Sequence, residues 1–426
     1  MVELSTETVF TWGAPPIKFG AGAADELGWD LQQLGVQRVL VITDPGVAAT
    51  GVPARLVEGM EARGVKAEIY DQSSVEPTDE SWRAAVEFAS GSEWDGFVAI
   101  GGGSSIDTAK AVNLLTTYPG DVMDYVNAPV GKGKNPPGPL KPLVAVPTTA
   151  GTGAESTPVC VLDILGLHVK SGISSPRLRP VLAVVDPLVT LTLPPEVTAA
   201  AGMDVLCHAL ESYTARPYDA YARKAPEERV AYCGANPISD MWTTQALRLL
   251  SGAFRKAVLS GHDLAARTDM MQAATFAGMG FGNAGVHIPH ACAYPIAGRV
   301  REYVPDGYPP GQPLVPHGQS VSLTAPAAFR FTYPADKARH EHAASLLDAR
   351  AAEEASSGRE QLPAALTALM RDIGIPNGLS GVGYGEDDVP GLVEGAMKQQ
   401  RLLSISPRPV GEDDLDAIFR ESLTNW

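Results

Sequence analysis

VAIGGGSSIDTAK, from Val98 to Lys110, reads as a strand, a glycine turn and the start of a helix. In that setting the run Gly101-Gly102-Gly103-Ser104 lets backbone N–H groups approach a pyrophosphate, and the helix N-terminus adds partial positive charge. The spacing is not GxGxxG, so a tight turn that only packs strand against helix competes with the phosphate reading.

The stretches on either side extend the pattern. RVLVIT (Arg38 to Thr43) reads as a buried strand closed by Asp44-Pro45-Gly46, VPARLVEGMEARG has helical spacing, and KAEIY (Lys66 to Tyr70) is a second strand. PTDESWRAAVEFA looks helical, with Thr78 or Asp79 as its cap and acids in the first turn. FVAIG is a third strand, SSIDTAKAVNLL its following helix, and LVAVP and VLAVVDP are further short apolar runs. Strands alternating with helices imply a parallel sheet covered on both faces. APVGKGKNPPGPLKP, from Ala128 to Pro142, is too rich in proline and glycine for regular structure.

After Pro195 the texture changes to alanine- and leucine-rich helical stretches, such as TAAAGMDVLCHALESY, and strand signals vanish. The expected division is an α/β domain over 1–195 and an all-helical domain over 196–426. Irregular insertions are expected around Arg216 to Pro237 and Val300 to Pro316.

Bulk properties narrow the function. The 426 residues exceed one ordinary core, and 45% apolar with 19% charged content fits a globular chain. A net charge of −16 argues against a nucleic-acid partner. Cys160, Cys207, Cys233 and Cys292 form no CxxC pair, so no disulfide framework is expected. The opening MVELSTETVFTWGAPP lacks a basic start and apolar run, and no stretch of about eighteen apolar residues offers a membrane span. A cytoplasmic setting without membrane contact is the resulting expectation.

The chemistry concentrates in GMDVLCHALES, HIPHACAYP and VPHGQS. Asp204 and His208, four apart on a helix, project from one face. With His290 and His317 they offer one carboxylate and three imidazoles, a set suited to Fe²⁺ or Zn²⁺. Cys207, at i+3, competes as a softer ligand, and His287 competes with His290. Glu211, at i+7 from Asp204, suits support of a ligand or a solvated helix face. His168, His262, His340 and His342 are assigned no chemistry. A phosphate-cradling turn followed by an oxygen-polarising metal points to hydride transfer between a nicotinamide and an alcohol carbon. Asp44, ending a strand, suits a ribose 2′-OH and thus NAD over NADP, or an Asx-type turn before Pro45. PTTAGTGAES (Pro147 to Ser156) offers Thr148, Thr149 and Thr152 to ribose and nicotinamide amide, with turn chemistry as the rival.

GGGSSIDTAK, PTTAGTGAE, DVLCHALESY, AGMGFGNAGVH and VPHG, in this order, resemble the iron-containing (group III) alcohol dehydrogenases over nearly the whole chain. The resemblance implies a nucleotide-binding α/β domain, a helical domain of the dehydroquinate-synthase-like type, and an active site in the cleft between. It places metal ligands at Asp204, His208, His290 and His317. It places cofactor contacts at Asp44, Gly102, Gly103, Ser104, Asp107, Thr148, Thr149, Thr152 and Lys170. NAD and a divalent metal, Fe²⁺ first and Zn²⁺ second, are the implied cofactors, and a homodimer or larger assembly the implied state.

VEPTDES, DYVNAPVGKGK, LESYTARPY, GANPISDMW and PLVPHG are most similar to the hydroxyacid–oxoacid transhydrogenase branch. That branch implies oxidation of 4-hydroxybutyrate coupled to reduction of 2-oxoglutarate, with NAD recycled in place. An NAD-dependent dehydrogenase of short primary alcohols or aldehydes is the alternative, and a dehydroquinate-synthase-type lyase a further one. Tyr294 stands where many members carry a second histidine, and a phenol is a poor base near neutrality. Lys132, Lys134, Arg299 and Arg301, in the irregular segments, are candidate partners for a substrate carboxylate, with solvated surface charge the favoured alternative for each.

Overall fold

The computed structural model describes residues 5–167, 169–308, 311 and 313–426. His168, the first four residues of the N-terminal stretch, and residues 309, 310 and 312 of the second insertion lie outside these. The chain divides into two compact units: Gly13–Thr192, and Leu193–Trp426 together with the N-terminal segment up to Trp12.

The first unit is built on β1 (Ile17–Phe19), β2 (Arg38–Ile42), β3 (Lys66–Tyr70), β4 (Gly96–Gly101), β5 (Leu143–Pro147), β6 (Val159–Ile164), β7 (Val169–Ser174) and β8 (Leu182–Val185). Six of them form one sheet in the order β1-β8-β5-β4-β2-β3, and every pairing in it is parallel. Alternation along the central strands explains why the runs are continuously apolar. Val39, Val41, Val98, Ile100, Val144 and Val146 pack on one face with Leu27, Leu31, Leu56 and Met60. Leu40, Ile42, Phe97, Ala99 and Ala145 pack on the other with Ala85, Ile106 and Ala109. Both faces are therefore buried, as parallel sheets require. Thr78 caps the Asp79–Ser90 helix in a reciprocal capping box with Ser81.

Two features differ from the sequence reading. β1 escapes it because three residues after Pro15-Pro16 carry no periodicity. β6 and β7 form a separate antiparallel hairpin; VKSGIS, half polar and containing glycine, carries little strand signal.

In the second unit the Pro195–Thr214 helix is buried along most of its length, from Thr198 onward on nearly every side. It packs against the helices Pro237–Leu259, Leu264–Ala284 and His317–Thr332. A helix enclosed this way needs small and apolar residues all round, which TAAAGMDVLCHAL supplies. No helix among the described residues is long and apolar enough to cross a membrane.

Candidate functional site

The Pro195–Thr214 helix places Asp204, His208 and Glu211 in the interior of the helical unit, at 2%, 4% and 0% exposure. Burial of three polar side chains on one helix is costly unless they meet partners. They do. The Nε2 atoms of His208, His290 and His317 lie 3.6, 3.4 and 3.7 Å from Asp204 Oδ1. Asp204, His290 and His317 offer ligand atoms all within 4.8 Å of one another. His208 stands outside that tightest trio while facing the same carboxylate oxygen.

Each imidazole is held by its element. Phe281 stacks on His208 with ring centroids 3.8 Å apart and planes 6° from parallel. His290 lies in the first turn of the Ile288–Gly298 helix, where Glu211 Oε1 sits 2.6 Å from its Nδ1. Glu211 Oε2 also accepts from the backbone N–H groups of His287 (2.6 Å) and His290 (3.5 Å). One carboxylate thus caps a helix and orients an imidazole. His317 opens the His317–Thr332 helix. Its neighbour Gly318 lets that helix touch the backbone of the Asp204 helix: a Cβ there would overlap the Ala200 carbonyl oxygen and lie 2.9 Å from Asp204 N. His317 is the accessible member, with 29% of its side chain exposed against 3–5% for the other three.

Electrostatics follow the geometry. Burial disfavours charge on Asp204, but the surrounding imidazoles outweigh it and hold the carboxyl well below its usual range. Burial pushes His208 down to about 3. Burial acts the same way on His290, yet the carboxylates of Glu211 and Asp204 raise it to about 9. Asp204 Oδ1 and His290 Nε2 are nevertheless buried without a hydrogen-bond partner. Two orphaned buried atoms facing each other, with two further ring nitrogens beside them, fit a divalent cation.

The competing ligands do not join this group. Cys207 is fully buried, and burial raises its thiol far above the ordinary value, which suits a packed thiol rather than a thiolate ligand. His287 Nε2 is 3.1 Å from the Thr214 hydroxyl. Glu211 is no solvated face residue. Lys132 and Lys134 pair with Asp124, Arg301 with Asp388 and Arg299 with Glu394, all at the surface. Tyr294 lies alongside His317, ring centroids 6.4 Å apart.

In the first unit the expected cofactor residues gather at the carboxyl ends of adjacent strands. The chain runs from β2 to β3 on one side and returns to β4 on the other, which makes the β2/β4 boundary a topological switch point, where ligands of open parallel sheets bind. Asp44 follows β2, Gly102 to Ser104 follow β4, and Thr148, Thr149 and Thr152 follow β5. Asp44 Oδ1 accepts from Val47 N at 3.0 Å, three residues on, so Asp44 caps the short Pro45–Ala49 helix rather than forming an Asx turn, and Ser105 donates to its Oδ2 at 3.2 Å. A Cβ on Gly103 would come within 2.5 Å of Thr152, so glycine keeps this turn and the threonine loop in contact. Thr148 Oγ1 is buried without a partner. Ser104 donates its hydroxyl to the Val75 carbonyl.

Asp107 and Lys170 are engaged within the protein. Asp107 accepts from Val161 N at 2.9 Å, and burial raises its carboxyl to about 6. Lys170 pairs with Glu76 and with Asp163 (3.2 Å). Lys110, which the sequence reading passed over, is fully buried and donates to Ala154 O, Thr157 Oγ1 and Val159 O, pinning the end of the threonine loop. Phe281 and Gly318 also went unnoticed. Their signals were an aromatic amid small residues in AGMGFGNAG and a glycine directly after His317.

Family models of the iron-containing alcohol dehydrogenases match residues 14–187, and their C-terminal counterpart matches 198–423. The chain belongs to the iron-containing alcohol dehydrogenase family. It is an enzyme of that family, whose members imply NAD and an iron-type divalent metal. The mitochondrial hydroxyacid-oxoacid transhydrogenases of Bos taurus and Rattus norvegicus are 44% and 45% identical to it, over 98% of this chain and 91% of theirs. A solved structure of 1,3-propanediol oxidoreductase superposes with a TM-score of 0.84 at 31% identity, covering 97% of this chain and all of the other.

One expectation is overturned. The relatives' names place them in mitochondria, which conflicts with the cytoplasmic setting read from the sequence.

Proposed function

We propose that this enzyme is a hydroxyacid–oxoacid transhydrogenase. Its reaction would convert 4-hydroxybutyrate and 2-oxoglutarate to succinate semialdehyde and 2-hydroxyglutarate through two successive hydride transfers. The observation that carries the chemistry is the convergence of three imidazole nitrogens on Asp204 Oδ1. The substrates follow from near-full-length identity to the transhydrogenases named above.

Asp204, His208, His290 and His317 would hold one divalent cation, Fe²⁺ by family and Zn²⁺ as the second choice. When bound, the cation supplies Lewis-acid stabilisation of negative charge on an alcohol or carbonyl oxygen, and NAD carries the hydride. Asp204 supplies the anionic charge, Phe281 and Glu211 fix two rings, and burial of three ligands excludes water from all but the His317 side. The Gly102–Ser104 turn would take the pyrophosphate on backbone amides, Asp44 the adenosine ribose, and Thr148, Thr149 and Thr152 the nicotinamide ribose and amide. Asp107 and Lys170 would border that site from the hairpin side.

A second reading, an NAD-dependent dehydrogenase of short alcohols, is favoured by the likeness to 1,3-propanediol oxidoreductase. Purified enzyme given 4-hydroxybutyrate and 2-oxoglutarate, without added NAD, separates the two. Formation of 2-hydroxyglutarate supports the transhydrogenase. Its absence, together with NAD-dependent oxidation of short alcohols, supports the dehydrogenase.

A further inference from the structure

Glu211 receives three donors on one buried carboxylate: the backbone N–H groups of His287 and His290, and the Nδ1 side of the His290 ring. An ionised carboxylate is the side chain that only accepts, so it satisfies all three at once. With Nδ1 held by Glu211, Nε2 is the ring atom left to face Asp204 Oδ1, 3.4 Å away. The same carboxylate caps the helix that carries His290, so ring angle and backbone position are set together.

We propose that Glu211 is the positioning residue that prepares His290 to bind the cation through Nε2. This rests on the metal reading above. Glutamine fits the pocket in size and fails in chemistry: its amide NH₂ would face either backbone donors or the ring N–H. Removal of such an outer carboxylate typically costs 10–100-fold in metal affinity.

The test is titration of chelator-stripped full-length protein with Co²⁺, followed by calorimetry and by the visible absorption of the ion. Wild type is compared with Glu211→Gln and Glu211→Asp, and NAD affinity is measured in each. Glu211→Gln is expected to bind Co²⁺ at least 10-fold more weakly with an altered spectrum, while NAD affinity stays within about two-fold because the nucleotide residues lie in the other unit. Glu211→Asp keeps an acceptor-only group and is expected to restore part of the loss. It also carries the test should the glutamine variant not fold. Wild-type Co²⁺ affinity and spectrum in Glu211→Gln would overturn the proposal alone; where only Glu211→Asp folds, its shorter side chain must shift the His290 ring it holds, so an unchanged Co²⁺ spectrum there would overturn it. Failure of wild type to bind Co²⁺ would overturn the metal reading itself.

Discussion

Replacing Gly318 with alanine adds one methyl group where two backbones meet. The new Cβ would overlap the Ala200 carbonyl oxygen and sit 2.9 Å from both Ala200 C and Asp204 N, nearer than the 3.0 Å that real Cβ atoms respect. No side chain can rotate away, because the obstructing atoms belong to the helix that carries Asp204. Restoring ordinary contact needs a retreat of the order of 1 Å. His317 is the next residue, so it moves with the helix. Metal–ligand distances tolerate only about 0.2 Å, and a misplacement of about 1 Å costs roughly 100-fold in rate. The expected outcome is a fall of about 100-fold in kcat/KM, equivalent to about 2.7 kcal/mol, with overpacking costing a further 1–3 kcal/mol or so of stability. Steady-state kinetics with thermal unfolding read both. Gly252→Ala is the control, since nothing lies within 4 Å of its Cβ position. Wild-type turnover in Gly318→Ala would refute the claim that this close approach positions His317.

Gly103→Ala should raise the Kd for NAD by roughly ten-fold, about 1.4 kcal/mol, because its Cβ would strike Thr152; fluorescence titration checks it. Lys110→Met should destabilise the first unit by about 3 kcal/mol or more, since three acceptors lose their buried donor, and urea unfolding measures this. Metal uptake near pH 8 should release about one proton, because His290, raised to about 9 without metal, must surrender one to coordinate. Affinity then weakens as pH falls, and calorimetry in buffers of different ionisation enthalpy detects the release. Glu7, held down at about 2 chiefly by its bond to Arg229, contributes stability that is complete above its ordinary value of 4.5 and lost as pH falls toward 2. Glu7→Gln should flatten the decline of Tm between those pH values.

The sheet was legible because its strands are buried on both faces and read as unbroken apolar runs. RVLVI and LVAVP need no partner in sequence to be recognised. The hairpin was not, because VKSGIS draws its stability from pairing with β6 rather than from its own pattern. Within the site, Asp204 and His208 announce themselves by helical spacing, whereas His290 and His317 join them in sequence only by residue type, and it is the fold that brings their rings to the same carboxylate oxygen. Glu211 shows the limit most clearly. A solvated face and an interior clamp have the same spacing, and only the fold around His290 distinguishes them. Phe281 and Gly318 are long-range contacts, on which local sequence is silent.

The most direct measurement of the central claim is metal content against turnover in one preparation. Protein stripped by chelation and reloaded stepwise with Fe²⁺ under exclusion of oxygen should regain 2-hydroxyglutarate formation linearly, saturating at about one ion per chain, and Asp204→Ala should regain none. Full turnover by the stripped protein, or by Asp204→Ala, would contradict the account.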